Sequence, residues 1–185
     1  NLHMPATSDI PRIAFNSVYN AIISASDFFA ARNKHKDSLN FRGSKEIYHN
    51  YTDELYKFDQ LYRIFCENAD TADTSGWEIL KPLRDKIEDI YSNWFLDSLA
   101  LKWESSISPQ SWTIEDVTNQ YDFFDKHVRK VAGVKTSRGS RTAYVIVSDA
   151  LRYEAAEELT GELNGKYRFT AKLESMLGVV PSYTA

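Results

Sequence analysis

The stretch Thr142-Ala-Tyr-Val-Ile-Val-Ser-Asp149 decides the predicted fold of the carboxyl-terminal part of the chain. Its β-branched residues Val145, Ile146 and Val147 form a continuous apolar run, which is typical of a parallel strand covered on both faces. A helix with apolar residues at four-residue spacing is predicted directly after Asp149. The carboxyl end of such a strand is where open α/β sheets place their chemistry. Asp149 is therefore a candidate site residue, although an Asp between a strand and a helix is also a common N-cap.

A second strand is predicted at Arg168 to Leu173, where β-branched and aromatic residues follow Gly165. The resulting strand, helix and strand imply a right-handed parallel crossover. Unpaired strand edges recruit other strands, so we expect this chain to self-associate through the open edge of the sheet, to pair there with a partner, or to leave about its last twenty residues poorly ordered.

Residues 5–134 are predicted to form a helical module of about four amphipathic helices. The first covers residues 11–32, and the second, from Ile47 to Phe65, carries an aromatic stripe that is either core or a base-stacking surface. A polar connection at 68–74 precedes a third helix, opened by the capping pattern Ser75-Gly-Trp-Glu78 and kinked or restarted at Pro82. The fourth begins at Thr113 and ends at Gly133. The first two helices have these predicted stripes: Ala14, Val18, Ala21, Ile22, Ala25, Phe28 and Phe29; and Ile47, Tyr51, Leu55, Phe58, Leu61, Tyr62 and Phe65.

The composition of the chain indicates a protein with a packed core. Of 185 residues, 43% are hydrophobic and 14% aromatic, which excludes a disordered protein. The apolar runs are too short to span a bilayer, and no secretion signal is visible at the start. A single cysteine, Cys66, fits a reducing cytoplasm and is predicted to be a buried structural thiol. These features favour a cytoplasmic protein without membrane segments.

Residues 126–141 are basic and contain no acidic residue, although the whole chain has a net charge of −4. The overall charge excludes a protein that is basic throughout, but not a local surface for nucleic acid. The run is either a solvated linker, with its boundary at 135–141, or a phosphate-contacting patch. Its basic residues are Lys126, Arg129, Lys130, Lys135, Arg138 and Arg141.

Both ends of the chain indicate an excised piece of a longer protein. Asn1-Leu2-His3-Met4 resembles a vector and protease remnant, and Pro181-Ser-Tyr-Thr-Ala185 follows a strand-like run without a capping element.

Two motifs carry a resemblance to a known family. Val145-Ile-Val-Ser-Asp-Ala-Leu-Arg-Tyr-Glu154 and Gly178-Val-Val-Pro-Ser-Tyr-Thr184 resemble the PglZ family, which belongs to the alkaline-phosphatase superfamily and to the BREX systems of phage defence. The aromatic segments 48–53 and 59–63 are similar to the helical part of the same family. The resemblance implies that residues 142–185 are the start of an incomplete alkaline-phosphatase-like parallel sheet, which follows the helical module over 5–134 and the basic linker at 135–141 predicted from the residues.

The resemblance also assigns site residues. It implies that Asp149 is a metal ligand and that Thr184 is both the nucleophile and a ligand of the same divalent metal, zinc or manganese. Thr184 alone would be read as an ordinary loop hydroxyl. Arg152 contacts phosphate or pairs with a helix glutamate, and Glu154 is expected to be a surface charge.

The function implied for the parent protein is metal-dependent hydrolysis of phosphoesters or phosphodiesters, including nucleic acid. The superfamily's further Asp and His ligands lie downstream of the nucleophile, and the sequence ends one residue after Thr184. We therefore expect this chain alone to be inactive and to hold no metal. The alternative is an interaction module that docks another BREX component, such as BrxB, through its helices.

Overall fold

A computed structural model describes residues 10–76, 78–108, 112–137, 139–168 and 170–178. The chain separates into two compact units, Asn1–Ser106 and Ile107–Ala185. The described residues are mostly helical, with one small antiparallel sheet of two strands. None of the helices in these ranges combines the length and apolar character that a bilayer crossing requires. The domain boundary expected at 135–141 stays a prediction.

The first unit is built from helices alone in its described ranges. A π-helical turn at Tyr51–Leu55 joins the second helix to the third, and another at Ile90–Leu96 joins the fourth to the fifth. A 3-10 turn, Glu78–Leu80, precedes the fourth helix. The α-helices are α1 (Ile10–His35), α2 (Ser44–Asn50), α3 (Tyr56–Thr74), α4 (Lys81–Asp89) and α5 (Asp97–Ser106).

The core of the first unit lies where α1 packs against α3. Its fully buried aromatic residues, Phe28, Phe58, Phe65 and Phe95, are at most 1% exposed. The Phe58 ring centroid lies 5.6 Å from that of Phe28 and 4.6 Å from that of Phe95, which are favourable distances for aromatic pairs. The stripe predicted on α1 is buried at Ala14, Val18, Ala21, Ala25 and Phe28. The aromatic stripe of the second predicted helix belongs to the same core. Its members Ile47, Leu55, Phe58 and Phe65 are buried, which confirms core packing rather than a base-stacking surface.

Three predictions in this unit are wrong in detail. Ile22 is 49% exposed, so it lies outside the buried stripe of α1. Residues 68–74 are helical rather than a connection, because Ala69 and Ala72 are fully buried and extend the packed face of α3. Ser75 ends α3 instead of capping the next helix, and its hydroxyl donates to the Thr71 carbonyl at 2.8 Å.

The restart predicted at Pro82 is confirmed. Helix α4 begins at Lys81 with the proline in its first turn, where the missing amide hydrogen would have no helical partner. The run from α4 through the π-helical turn to α5 is otherwise continuous.

In the described part of the second unit, the elements before the helix at Tyr153–Lys166 are short. The fourth predicted helix, from Thr113 to Gly133, is wrong over most of its length. Asp116 has a left-handed φ of 64° and Asn119 is extended, so helical turns form only at Gln120–Asp122 and Phe124–Val128. Gly133, with φ of 75°, has the left-handed conformation expected of it.

The predicted parallel strands are not formed by the described residues. Residues 142–148 join no strand pairing in the described ranges, and Tyr144, Ile146 and Val147 are 83–91% exposed instead of buried. The segment 168–173 is likewise without a strand where it is described. A strand requires a neighbour that supplies its hydrogen bonds, and apolar composition cannot provide one.

The basic linker is partly structured. Strand β1 (Lys135–Thr136) pairs antiparallel with β2 (Gly139–Ser140), and the Arg141 amide donates to the Val134 carbonyl at 2.9 Å. The final helix, α6 (Tyr153–Lys166), follows the exposed segment.

Candidate functional site

Asp149 lies in an exposed turn between the apolar segment 142–148 and α6. The next residue, Ala150, has a left-handed φ of 56°, which alanine adopts rarely. The helix begins at Tyr153 with Arg152 as the N-cap residue, so Asp149 is outside the N-cap position. Asp149 is exposed in this turn, and its role as a metal ligand stays a prediction.

Arg152 and Glu154 form a pair at the start of α6. The Arg152 Nε atom lies 3.5 Å from Glu154 Oε1, so the arginine has the glutamate partner that was one of its two predicted roles. The prediction that Glu154 is a surface charge is wrong, because its side chain is fully buried. Buried carboxylates require compensation, and the adjacent guanidinium supplies part of it.

The segment before the predicted nucleophile is held by backbone pairing. Leu177, which is 5% exposed, forms an isolated parallel bridge with Asn119. Its amide donates to the Thr118 carbonyl at 2.7 Å, and its carbonyl accepts from the Gln120 amide at 2.9 Å. Thr184 lies outside the described residues, so its pairing with Asp149 stays a prediction.

Trp112 adds a side-chain bond to the same segment. Its indole Nε1 donates to the Gly178 carbonyl at 2.9 Å, across 66 residues of sequence. In the sequence Trp112 merely follows a loop rich in serine and proline, and no local pattern identifies this contact.

The basic run is largely exposed, and part of it is neutralised by upstream acids. The Arg129 guanidinium lies 2.8 Å from the Asp125 carboxylate, and the Lys126 ammonium lies 3.9 Å from that of Asp122. Exposed pairs of this spacing contribute little stability. Lys130, Lys135 and Arg141 are also exposed, while Arg138 lies outside the described residues.

The described ranges contain no cluster of three or more His, Cys, Asp or Glu that could hold a metal ion. Asp149 offers one carboxylate, a suitable donor for a hard or borderline divalent cation. One carboxylate and one hydroxyl are too few protein ligands for tight binding. The metal expected from the resemblance therefore fits Asp149 chemically but requires further donors.

The first unit contains a polar cluster that the sequence reasoning missed. The Asp59 carboxylate, 3% exposed, accepts hydrogen bonds from the Tyr51 hydroxyl at 2.6 Å and from the Tyr91 hydroxyl at 2.5 Å. Tyr91 stacks on Tyr62 with ring centroids 3.8 Å apart. The four-residue spacing from Tyr51 through Leu55 to Asp59 is the signal that places this acid on the buried face.

Cys66 lies beside this cluster, half-buried. Burial raises the pKa of its thiol above the ordinary value, and the hydrogen bond with Tyr62 offsets part of that effect. The Tyr62 hydroxyl donates to the Glu88 carboxylate, and burial followed by this bond raises the pKa of Tyr62. A thiol held protonated in this way is a poor nucleophile, which agrees with a structural role.

Comparisons with known proteins show relatives along most of the chain. Residues 123–185 match the family described as the BREX system PglZ alkaline phosphatase-like domain. The chain is 40% identical over 174 residues to the alkaline phosphatase-like protein BrxZ of Escherichia coli O9:H4 (strain HS). It is 30% identical over 174 residues to the alkaline phosphatase-like protein PglZ of Bacillus cereus (strain H3081.97). Each match covers 92% of this chain, but the chain spans only 20% and 19% of those proteins. No solved structure matches.

Proposed function

We propose that the parent protein of this chain is a metal-dependent phosphoesterase or phosphodiesterase of a BREX phage-defence system, because residues 123–185 match the PglZ alkaline phosphatase-like domain and 92% of the chain aligns with the BrxZ and PglZ proteins. The observation that carries the proposal is the match of residues 123–185 to the alkaline phosphatase-like domain, with Asp149 in an exposed turn inside it. The predicted resemblance to the family is confirmed by these matches.

Asp149 is proposed as a metal-ligating carboxylate and Thr184 as the nucleophile and second ligand. A bound divalent cation, zinc or manganese, would lower the pKa of the threonine hydroxyl and polarise a phosphoryl oxygen. Arg152 is proposed to contact phosphate in the complete site. This contact requires the Arg152 guanidinium to leave the Glu154 carboxylate and to bind the substrate instead. Because Asp149 and Thr184 supply only two donors, this chain by itself is proposed to bind metal weakly and to be inactive.

The parallel strand, helix and strand remain part of the proposal, as do the domain boundaries 5–134, 135–141 and 142–185. The exposure of Tyr144, Ile146 and Val147 supports the missing sheet neighbours, since an apolar run of this size is normally covered by neighbouring strands. In this chain alone the same run is proposed to cause self-association, which sedimentation velocity measures. A monomer at every concentration would contradict it.

The catalytic proposal is tested with the complete protein and bis(p-nitrophenyl) phosphate in the presence of Zn²⁺ or Mn²⁺. Asp149→Ala and Thr184→Ala are expected to abolish turnover. The matched control is Asp125→Ala, which removes an exposed carboxylate of the same unit that pairs with Arg129. Equal activity of the Asp149 and Asp125 variants would contradict the proposal.

Nucleic acid is a candidate substrate class for the complete protein. The exposed cations of the hairpin region, Lys130 and Lys135, support this by offering phosphate contacts. The double variant Lys130→Ala with Lys135→Ala is expected to weaken duplex DNA binding and to reduce its salt dependence. An unchanged salt slope would exclude a role for this surface.

A second candidate function is docking of another BREX component, such as BrxB, by the helical unit. Two observations favour it. The exposed side of α1 carries Phe15 and Tyr19, each 60% exposed, together with Ile22. A groove of about 370 Å³ lies between α2 and α5, lined by Ile47, Tyr48, Tyr51, Leu96, Leu99, Ala100 and Trp103. Aromatic residues of this kind anchor interfaces.

The docking function is tested by mixing this chain with purified BrxB and measuring complex formation by size exclusion. Phe15→Ser and Ile22→Ser are expected to weaken the complex without unfolding the helices, since both side chains are exposed. Asp37→Ser, also on a strongly exposed site, is the control. If the α1 variants co-elute with BrxB as the unsubstituted chain does, the interface lies elsewhere. If no complex forms, the docking function is contradicted.

A further inference from the structure

A cavity of about 410 Å³ lies in the first unit, between the turn 36–40 that follows α1 and the helix α5. Trp94, Ser98 and Lys102 line it at four-residue spacing, so they share one face of the run from the π-helical turn through α5. Leu39, which is 8% exposed, and Trp94 anchor the two walls in the hydrophobic core. The volume falls in the range of small-molecule sites, roughly 300–1,000 Å³.

Positive charge predominates around this cavity. Lys36 and Lys102 both line it. The Lys36 ammonium lies 3.9 Å from the Asp37 carboxylate, whereas that of Lys102 has no carboxylate partner within the described ranges. The Arg32 guanidinium lies 5.6 Å from the centre of the Trp94 ring, and its buried Nε–H donates to no acceptor in the part of the chain that the structure describes. Three cations and one carboxylate favour an anionic ligand.

The rest of the lining offers hydrogen bonds and apolar surface. Asn40 and Ser98 supply an amide and a hydroxyl, which both donate and accept hydrogen bonds. Leu101, which is 67% exposed, and Trp94 supply the apolar part. A ligand that satisfies all these groups has an anionic group, hydroxyl groups and a planar apolar ring. A nucleoside monophosphate combines the three.

We propose that this cavity binds a nucleoside monophosphate, with its phosphate held by Lys36 and Lys102 and its base against Leu101 and Trp94. Lysine ammonium groups bind phosphate through charge-assisted hydrogen bonds, and aromatic side chains bury the faces of planar rings. The site belongs to the helical unit, so it is independent of the proposed hydrolysis and of the docking of a protein partner.

The test is an NMR titration of the isotope-labelled chain with adenosine monophosphate. The reporter is the indole N–H resonance of Trp94, which is assigned by its loss in Trp94→Phe. Adenosine monophosphate is expected to shift this resonance until it saturates. Adenosine lacks the phosphate and inorganic phosphate lacks the ring, so each is expected to bind about tenfold more weakly, as the loss of a charged hydrogen bond or of an aromatic contact predicts.

Three variants test the charges. Lys102→Ala is expected to weaken binding of adenosine monophosphate by about tenfold, because a hydrogen bond to a charged group is lost. Lys57→Ala is the matched control, since Lys57 is an exposed lysine of α3 that does not line the cavity. Asp37→Asn removes the carboxylate beside Lys36 and is expected to strengthen binding by about twofold. All three side chains are exposed, so the variants should fold as the unsubstituted chain does.

Each contrary result overturns a stated part of the inference. Without a saturable shift at millimolar adenosine monophosphate, the site does not exist. Adenosine that binds as tightly as the monophosphate would overturn the role of the lysines. Inorganic phosphate that binds as tightly would overturn the recognition of a nucleoside. Equal weakening in Lys102→Ala and Lys57→Ala would show general attraction to a positive surface instead of binding in this cavity.

Discussion

Replacement of Tyr91 by phenylalanine is expected to destabilise the first unit by about 2 kcal/mol. The Tyr91 hydroxyl donates to the Asp59 carboxylate at 2.5 Å, and the two residues are 5% and 3% exposed. Hydrogen bonds to charged groups contribute about 1.5–3 kcal/mol, and burial of both partners means that solvent does not replace the lost bond. The phenylalanine keeps the ring that stacks on Tyr62, so the loss measures the hydroxyl alone.

The assay is urea unfolding of this chain, followed by circular dichroism at 222 nm, a signal to which the helices of the first unit contribute most. With a slope of about 2 kcal/mol per molar urea, a loss of this size lowers the midpoint by about 1 M. Tyr19→Phe is the matched control, because its ring is 60% exposed and its hydroxyl removal should change stability by less than about 0.5 kcal/mol.

A double-mutant cycle isolates the interaction energy between Asp59 and Tyr91. Asp59→Asn and Tyr91→Phe should be coupled by about 1–2 kcal/mol, as expected for residues in direct contact. A Tyr91→Phe effect no larger than that of Tyr19→Phe, or additive effects in the cycle, would refute the reasoning that this cluster stabilises the helical unit.

Three further outcomes follow from the same unit. Phe95→Ala, at a fully buried aromatic, should cost about 3–5 kcal/mol, whereas Phe15→Ala at the exposed face of α1 should cost less than about 0.5 kcal/mol in the same urea titration; equal effects would contradict the assignment of the core. Cys66, whose thiol pKa is raised by burial, should react with iodoacetamide at pH 8 several-fold more slowly in the folded chain than in urea, and equal rates would show an accessible thiolate. The hydrogen bond from Lys34 lowers the pKa of Glu54, so its stabilising contribution is present above the unfolded value of roughly 4.3 and is lost as the pH falls through the folded value. Glu54→Gln should therefore reduce stability at pH 7, and its effect should shrink as the pH falls through the folded pKa of Glu54; a pH-independent difference would contradict this linkage.

The helices of the first unit could be predicted from the sequence because their burial is encoded locally. The four- and three-residue spacing of Ala14, Val18 and Ala21 reports directly which face is covered. The same periodicity does not report the π-helical turns at Tyr51–Leu55 and Ile90–Leu96, since these turns differ from α-helix in backbone hydrogen bonds that run five residues apart, which side-chain composition does not reveal.

The second unit was predicted less well because its structure depends on distant partners. The apolar run 142–148 has the composition of a strand, but pairing must come from another strand. The hairpin of β1 and β2 has two residues on each side, too few to leave a periodic pattern. The left-handed φ at Asp116 interrupts a helical pattern that looks sound in the sequence.

The candidate site likewise contains residues that local sequence predicts and residues that depend on distant contacts. Asp149 was found from its place between an apolar run and a helical pattern, which is local information. The burial of Glu154 could not be found this way, because it stands among other acidic residues on α6 that are at least partly exposed. The bond from Trp112 to Gly178 joins residues 66 apart and has no local signal.

Anomalous diffraction from crystals of the complete protein soaked with Zn²⁺ or Mn²⁺ tests the catalytic account most directly. The account predicts an anomalous peak about 2.0–2.2 Å from an Asp149 carboxylate oxygen, with the Thr184 hydroxyl bound to the same ion. A peak bound entirely by other residues, with Asp149 and Thr184 facing separate surfaces, would contradict it.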